Sequence, residues 1–136
     1  MAKKKDATPR TIWMIAREYD GLAGAGGVKD VVRQLSEALA RAGHRVSVVL
    51  PLYGFMDPKA LGFASLGLAF EVAMNYEAEE RRELVRIFAK TVPDGGELTI
   101  YLLDAQRYLE KKSVYTYTAE DEAQNPFHAQ GSGHYD

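Results

Sequence analysis

A cluster of glycines between two regular patterns constrains this 136-residue chain more than any other feature. Four of residues 21–27 are glycine, and the cluster separates an apolar run from an amphipathic one. Glycine permits positive φ angles and lets another molecule approach the backbone closely. Because the N–H groups and the dipole at a helix start favour an anion, the segment predicts a phosphate-binding loop. The alternative is a flexible connection between a strand and a helix.

The sequence on both sides of this glycine-rich segment (residues 21–30) predicts a βαβ unit. Residues 11–16 are typical of a buried strand, and residues 45–50, which Pro51 follows, of a second one. Between them, Gly43 is expected to end a helix whose outer face carries Lys29, Arg33, Glu37 and Arg41. Its buried face is predicted from apolar residues at helical spacing, namely Val28, Val31, Val32, Leu35, Ala38, Leu39 and Ala42. The glycine-rich segment then lies at the carboxyl edge of a parallel sheet, where such folds bind ligands.

The spacing of the glycines excludes two common nucleotide motifs. A dinucleotide fingerprint needs G-x-G-x-x-G directly after the strand and an acidic residue at the end of the next strand. Here about ten residues separate the strand from Gly26 and Gly27, and the second strand ends Val49-Leu50-Pro51-Leu52. No Gly-Lys-Ser/Thr follows the glycines, so a P-loop is excluded as well. A long loop that could wrap a nucleotide sugar remains.

Several segments in the same order resemble one enzyme family. Glu18 is followed eight residues later by Gly26-Gly27-Val28-Lys29-Asp30, then by Ala42-Gly43-His44-Arg45-Val46 and Leu50-Pro51-Leu52-Tyr53-Gly54. Ile100-Tyr101-Leu102-Leu103-Asp104 and Tyr115-Thr116-Tyr117 continue the series. Together they are similar to the amino-terminal part of bacterial glycogen synthases and plant starch synthases, from residue 11 to the end of the chain.

The resemblance implies an α/β fold, a Rossmann-like parallel sheet with an antiparallel hairpin portion, as part of the amino-terminal lobe of a GT-B glycosyltransferase. It also implies retaining transfer of glucose from ADP-glucose to the non-reducing end of an α-1,4-glucan, without a metal or other cofactor. The preference for ADP-glucose over UDP-glucose rests on the resemblance alone. The family's histidine-bearing catalytic motif is not found in this chain, so the catalytic residues are expected beyond residue 136.

The predicted substrate-binding residues are Glu18, Gly26, Gly27, Lys29, Asp30 and Tyr115. The resemblance implies the roles of Asp30 and Tyr115 near the donor, whereas Lys29 is a hypothesis drawn from its place in the first turn of the helix. The family commonly has Lys-Thr-Gly-Gly where this chain has Gly24-Ala25-Gly26-Gly27, which puts a cation near the donor phosphates in doubt. We hypothesise that Lys29 takes over the role of the missing family lysine beside the donor phosphates. The alternative is that its side chain only points into water. Asp30 would accept hydrogen bonds from sugar hydroxyls or would only interact with the helix dipole. Tyr115 would offer an aromatic face to the donor or would be an ordinary loop residue.

The rest of the chain predicts a sheet that lacks helices. Residues 65–75, 82–92 and 97–104 read as strands, residues 77–83 as a solvated turn, residues 93–96 as a second turn and residues 105–111 as a short helix. About five strands against one long helix would leave apolar surface exposed. Residues 11–136 are therefore expected to be part of a lobe whose remainder and second lobe are absent. Residues 1–10 are expected to be a disordered basic tail. The alternative function is a truncated, non-catalytic module that binds glucan or nucleotide.

Composition limits the partners and the location. Seventeen basic and nineteen acidic residues give a net charge of −2, which offers no footprint for nucleic acid or an anionic membrane. His44 is expected to be structural, and His128 and His134 have no second ligand at metal spacing. The chain has no cysteine, no secretory signal pattern and no apolar run long enough to span a membrane. A cytoplasmic protein is expected, whose partners are ADP-glucose, α-1,4-glucan and the rest of its own polypeptide.

Overall fold

The computed structural model describes residues 8–76, 78–93, 96–105 and 114. Residues 1–7 of the predicted tail, positions 94 and 95 of the predicted turn, residues 106–111 of the predicted helix and Tyr115 lie outside the described residues. Among those described, no helix is long and apolar enough to cross a bilayer.

Five strands and one helix make up the described part of the chain. They are β1 (Thr11–Ile15), α1 (Val28–Arg41), β2 (Arg45–Pro51), β3 (Ala64–Tyr76), β4 (Glu79–Val92) and β5 (Glu97–Ala105). The strands form a single sheet in the order β1-β2-β5-β4-β3. β1, β2 and β5 are parallel, whereas β4 runs antiparallel to β5, and β3 antiparallel to β4. The predicted α/β sheet with an antiparallel hairpin is confirmed.

The first parallel crossover follows the expected βαβ pattern. Thr11 pairs with Arg45, and Arg45 pairs with Glu97, so the three parallel strands begin at the same level of the sheet. α1 ends where expected, because Gly43 adopts a φ of 98° and its N–H donates to the carbonyl of Ala40 at 3.0 Å. The carboxyl ends of β1, β2 and β5 therefore lie together at one edge of the sheet.

The core lies between α1 and one face of the parallel strands. Neighbouring strand residues form lateral pairs, Val46 with Leu98, Val48 with Ile100 and Leu50 with Leu102, and all six are buried. Gly96 is required at the start of β5, because a Cβ there would collide with the backbone carbonyl of Ala40.

The predicted buried face of α1 is partly wrong. The residues buried against the sheet are Val32, Ser36 and Ala40, which lie four residues apart on one line. Five of the residues predicted to be buried are exposed instead, namely Val28, Val31, Leu35, Ala38 and Ala42. At Ala40 the helix comes so close to Gly96 that a Cβ has no room there, and the helix is rotated from the orientation that apolar spacing alone predicts.

The opposite face of the sheet carries exposed apolar residues. Trp13 stacks on Tyr101 with ring centroids 6.0 Å apart, yet Trp13 is 60% exposed and Ile15 83% exposed. α1 is the one helix in the described ranges, and it packs on the other face. The expectation that part of the apolar surface stays in contact with water is confirmed.

The β3–β4 hairpin is longer than the sequence predicted. The acidic and basic residues 79–83 belong to β4 and not to a solvated turn. Arg82 donates to Glu71 across the pair at 2.9 Å and contacts Glu80 at 3.4 Å, so alternating charges are compatible with an exposed strand. β5 likewise extends one residue further than predicted, to Ala105.

Candidate functional site

The candidate site is the β1–α1 loop, residues 16–27, at the carboxyl edge of the parallel strands. The loop is attached to the sheet at its first residue, because the N–H of Ala16 donates to the carbonyl of Val49 in β2 at 3.0 Å. It then enters α1 at Gly27, which occupies the N-cap position without a side-chain cap. This is the edge at which α/β sheets bind ligands.

Glu18 is the buried anchor of this loop. Its side chain is 0% exposed, and its Oε1 accepts hydrogen bonds from the N–H groups of Ala25 at 2.5 Å and Gly26 at 2.9 Å. Within the predicted phosphate-binding loop, the N–H groups of Ala25 and Gly26 therefore bind Glu18. Their N–H groups turn inward because a buried carboxylate must be hydrogen-bonded, and the loop amides supply the donors.

Two aromatic residues that sequence reasoning did not select also hold the first half of the loop. Tyr19 pairs with Ala23 through two backbone hydrogen bonds of 2.8 and 3.0 Å. The hydroxyl of buried Tyr53, which follows β2, donates to the carbonyl of Arg17 at 3.0 Å. Burial raises the pKa of Tyr19 above its ordinary value. A buried tyrosine usually finds a partner for its hydroxyl, and this is the signal that could have identified Tyr53 in Leu52-Tyr53-Gly54.

The second half of the loop is open. A Cβ added at Gly26 or Gly27 would meet no heavy atom within 4 Å, so the space beside these residues is free. The first N–H groups of an α-helix have no partner within the helix. The beginning of α1 thus presents backbone donors next to open space, and Asp30 lies in this first turn.

Lys29 folds back across the loop and covers Gly24. A Cβ at position 24 would collide with the Cδ of Lys29, so only glycine leaves room for this side chain. The Lys29 ammonium donates to both carboxylate oxygens of Asp30, at 2.9 and 3.0 Å, and lies 3.8 Å from Asp20. The hydrogen bond to Asp30 raises the pKa of Lys29 above its ordinary value. The ammonium is thus charged and lies where the loop meets α1.

An ion-pair network ties the loop to the helix. Asp20 accepts from the Nη1 of Arg33 at 3.2 Å, and the N–H of Asp20 donates to the carbonyl of Lys29 at 3.2 Å. Arg33 also donates to Glu37 at 3.1 Å through its Nε. Arg33, expected on a solvated helix face, therefore has a structural partner in the loop.

The structure brings five of the six predicted site residues together at this edge: Glu18, Gly26, Gly27, Lys29 and Asp30. Tyr115 lies outside the described residues. His44 accepts a hydrogen bond from the backbone N–H of Arg10 at 3.1 Å through its Nδ1, which agrees with the structural role expected for it.

A cavity of about 460 Å³ lies at the opposite edge of the sheet, where the parallel strands begin. Its walls include Arg10, His44 and the ion pair between Arg45 and Glu97, whose Nε and Oε2 are 2.6 Å apart. It does not coincide with the β1–α1 loop. Because α/β sheets bind their ligands at the carboxyl edge, the loop remains the candidate site.

Comparison with known proteins connects this geometry with one family. The profile of the starch synthase catalytic domain matches residues 11–130. A glycogen synthase of Photobacterium profundum is 29% identical in an alignment of 133 residues that covers 92% of this chain and 24% of the relative. A glycogen synthase of Streptococcus pneumoniae is 35% identical over 104 residues, which is 76% of this chain and 20% of the relative.

A solved structure agrees with the sequence comparisons. The catalytic domain of starch synthase IV from Arabidopsis thaliana, bound to ADP and acarbose, matches with a TM-score of 0.56 and 27% identity. The match covers 74% of this chain and 19% of that one, so the chain spans about a quarter or less of the proteins it resembles. The sheet order, the glycine-rich loop and the matched sequence all lead to the same assignment: this chain belongs to the starch synthase catalytic domain family.

Proposed function

We propose that this chain is the donor-side portion of a retaining glucosyltransferase that transfers glucose from ADP-glucose to the non-reducing end of an α-1,4-glucan. The observation that carries the proposal is the open first turn of α1 beside Gly26 and Gly27, at the carboxyl edge of the sheet. Membership of the family supports it, as does the similar starch synthase IV structure, which is bound to ADP and acarbose. A cytoplasmic location is part of the same proposal.

In this proposal the backbone and two side chains bind the donor. The N–H groups at the beginning of α1 donate to the diphosphate, which the absence of side chains at Gly26 and Gly27 lets come close. The Lys29 ammonium exchanges part of its hydrogen bonding from Asp30 to a phosphate oxygen. Asp30, released in part, accepts hydrogen bonds from the hydroxyls of the donor glucose. Tyr115 completes the set as an aromatic face for the donor.

The chemistry needs groups from elsewhere in the polypeptide. Departure of ADP develops negative charge on the leaving diphosphate, and preorganised donors and cations lower the barrier for such a step. The β1–α1 loop supplies backbone donors and the Lys29 ammonium. The residues that act directly on the reacting carbon are expected in sequence beyond residue 136, together with the rest of the glucan site.

Titration with ADP-glucose tests the role of Lys29. We expect Lys29→Ala to weaken binding by roughly tenfold or more, because charge-assisted contacts to phosphate are strong. Lys59→Ala, which removes an exposed lysine from the connection between β2 and β3, is the matched control and is expected to bind as the unchanged chain does. Equal affinities for Lys29→Ala and the control would rule out Lys29 as the phosphate-binding cation.

A second candidate is a non-catalytic module that binds glucan or nucleotide. Gly24 favours it, because the family's lysine is missing there and the ammonium of Lys29 is already paired with Asp30. The two candidates differ in turnover. Release of ADP from ADP-glucose in the presence of a maltooligosaccharide, measured on the polypeptide that includes the sequence downstream of residue 136, supports the enzyme; binding without ADP release supports the module.

A further inference from the structure

Glu18 has a position that differs from that of the other carboxylates of the site. Asp20 and Asp30 are partly exposed and pair with cationic side chains at the surface. Glu18 is fully buried, and its carboxylate accepts hydrogen bonds from two backbone N–H groups seven and eight residues further along the chain. A charged carboxylate that is removed from water needs such donors, and hydrogen bonds to a charged group are stronger than neutral ones.

The residues that Glu18 binds have little else to hold them. Gly24, Gly26 and Gly27 have no side chains that could pack, and glycine loses more conformational entropy on ordering than any other residue. The pairing of Tyr19 with Ala23 fixes the loop only as far as Ala23. The Lys29 stem covers Gly24, and the Glu18 carboxylate supplies the hydrogen bonds that fix the backbone of Ala25 and Gly26.

We infer that Glu18 is a positioning residue for the glycine-rich loop. By binding the N–H groups of Ala25 and Gly26, it turns these two inward and fixes the backbone that leads into Gly27 and the first turn of α1. The N–H groups that follow are then held toward open space before any ligand arrives, which lowers the ordering cost of binding. Glu18 acts on the ligand through the loop and not by direct contact. The effect on a ligand rests on the proposed function, whereas the effect on the loop does not.

Amide hydrogen exchange, followed by NMR on the 136-residue chain, tests the effect on the loop. Glu18→Ala is expected to accelerate exchange at Ala25 and Gly26 by about tenfold or more, and added formate should slow it again by occupying the vacated carboxylate position. Glu18→Gln keeps an acceptor oxygen in a side chain of similar shape. Its exchange rates at Ala25 and Gly26 should lie between those of the unchanged chain and those of Glu18→Ala. The matched control is Glu71→Ala, which removes an exposed carboxylate on the β3–β4 hairpin, and the amide of Gly43 at the end of α1 serves as the internal reference.

Unchanged exchange at Ala25 and Gly26 in both Glu18 variants would overturn the inference. If Glu18→Ala does not fold, as judged by far-UV circular dichroism, the comparison of Glu18→Gln with the unchanged chain decides it. A titration with ADP then tests the effect on a ligand. Weaker binding by Glu18→Ala that formate restores supports positioning, and equal binding despite a freed loop contradicts it. If the unchanged chain does not bind ADP, the proposed function fails while the exchange data still decide the role of Glu18.

Discussion

The two halves of the β1–α1 loop, residues 16–23 and 24–27, differ in how far their side chains are buried. In the first half, the side chains of Glu18, Tyr19 and Ala23 are buried. Hydrogen bonds of Ala16 to β2, of Arg17 to Tyr53 and of Asp20 to Lys29 tie its backbone to the sheet and to α1. In the second half, Gly24, Gly26 and Gly27 are exposed, and Lys29 crosses the surface above them. The comparison indicates that one half holds the loop in place and the other leaves its backbone accessible.

This division explains how a glycine-rich segment can be ordered. A loop made only of small residues would lose much conformational entropy on folding and would gain few contacts in return. Here the contacts come from side chains located outside the glycines, above all from Glu18 and Tyr53. The loop can therefore be ordered although its glycines have no side chains to pack. Substitutions in the two halves should therefore have different consequences for stability.

The largest loss of stability is expected from Glu18→Ala. It removes two hydrogen bonds to a charged acceptor and leaves the N–H groups of Ala25 and Gly26 without their partner, which costs on the order of 3 kcal/mol. Urea unfolding of the variant and of Glu71→Ala measures the difference. A loss for Glu18→Ala no greater than that for Glu71→Ala would mean that the first half does not anchor the loop.

A smaller loss is expected from Tyr53→Phe. The variant keeps the ring, which stacks on Phe55 with centroids 5.3 Å apart, and removes the hydroxyl that donates to the carbonyl of Arg17. A neutral hydrogen bond contributes about 1 kcal/mol net, so the free energy of unfolding should fall by about that amount. Urea unfolding again provides the value. No change would assign the anchoring to Glu18 and the Tyr19–Ala23 pairing alone.

Gly24→Ala tests the second half of the loop, where a substitution is expected to change stability little. The new Cβ collides with the stem of Lys29, which is flexible and can move away, so the free energy of unfolding should change by less than about 0.5 kcal/mol. The ammonium of Lys29 should nevertheless leave Asp30, which NMR of the lysine side chain can detect. The double variant Gly24→Ala with Lys29→Ala is the control, since it has no stem to displace. A loss above about 1 kcal/mol in Gly24→Ala alone would mean that the second half is packed as tightly as the first.

Much of the fold follows from local sequence patterns. Apolar periodicity located β1, α1 and β2, and Gly43 marked the end of the helix because a left-handed residue is needed there. Strand patterns also located β3, β4 and β5, although charged residues 79–83 concealed the first part of β4. These features depend on residues close to one another in the chain, which is why they could be predicted.

The features that were missed depend on contacts between distant residues. The rotation of α1 goes with the close contact between Ala40 and Gly96 at the start of β5, which helical spacing does not reveal. Likewise, a single glutamate before a glycine cluster gives no indication that it is buried. Only the fold brings Glu18 under Ala25 and Gly26 and places the Lys29 stem over Gly24. The position of the site was therefore predictable, but the different roles of its two halves were not.

The smallest effect at neutral pH is expected from the titration of Tyr19. Burial is the main cause that raises the pKa of this tyrosine, and a hydrogen bond with Ser36 partly offsets it. Below a pH of about 10 the phenol is protonated in both the folded and the unfolded chain, so the full contribution is present. Above that pH the unfolded chain releases the proton while the folded chain retains it, and the free energy of unfolding falls as the pH rises through the folded pKa. Tyr19→Phe should flatten this decline above a pH of about 10 in urea unfolding experiments. Because the variant keeps every other tyrosine, the difference between the two curves is due to Tyr19. Parallel curves would show that the phenol of Tyr19 is not buried in the first half of the loop.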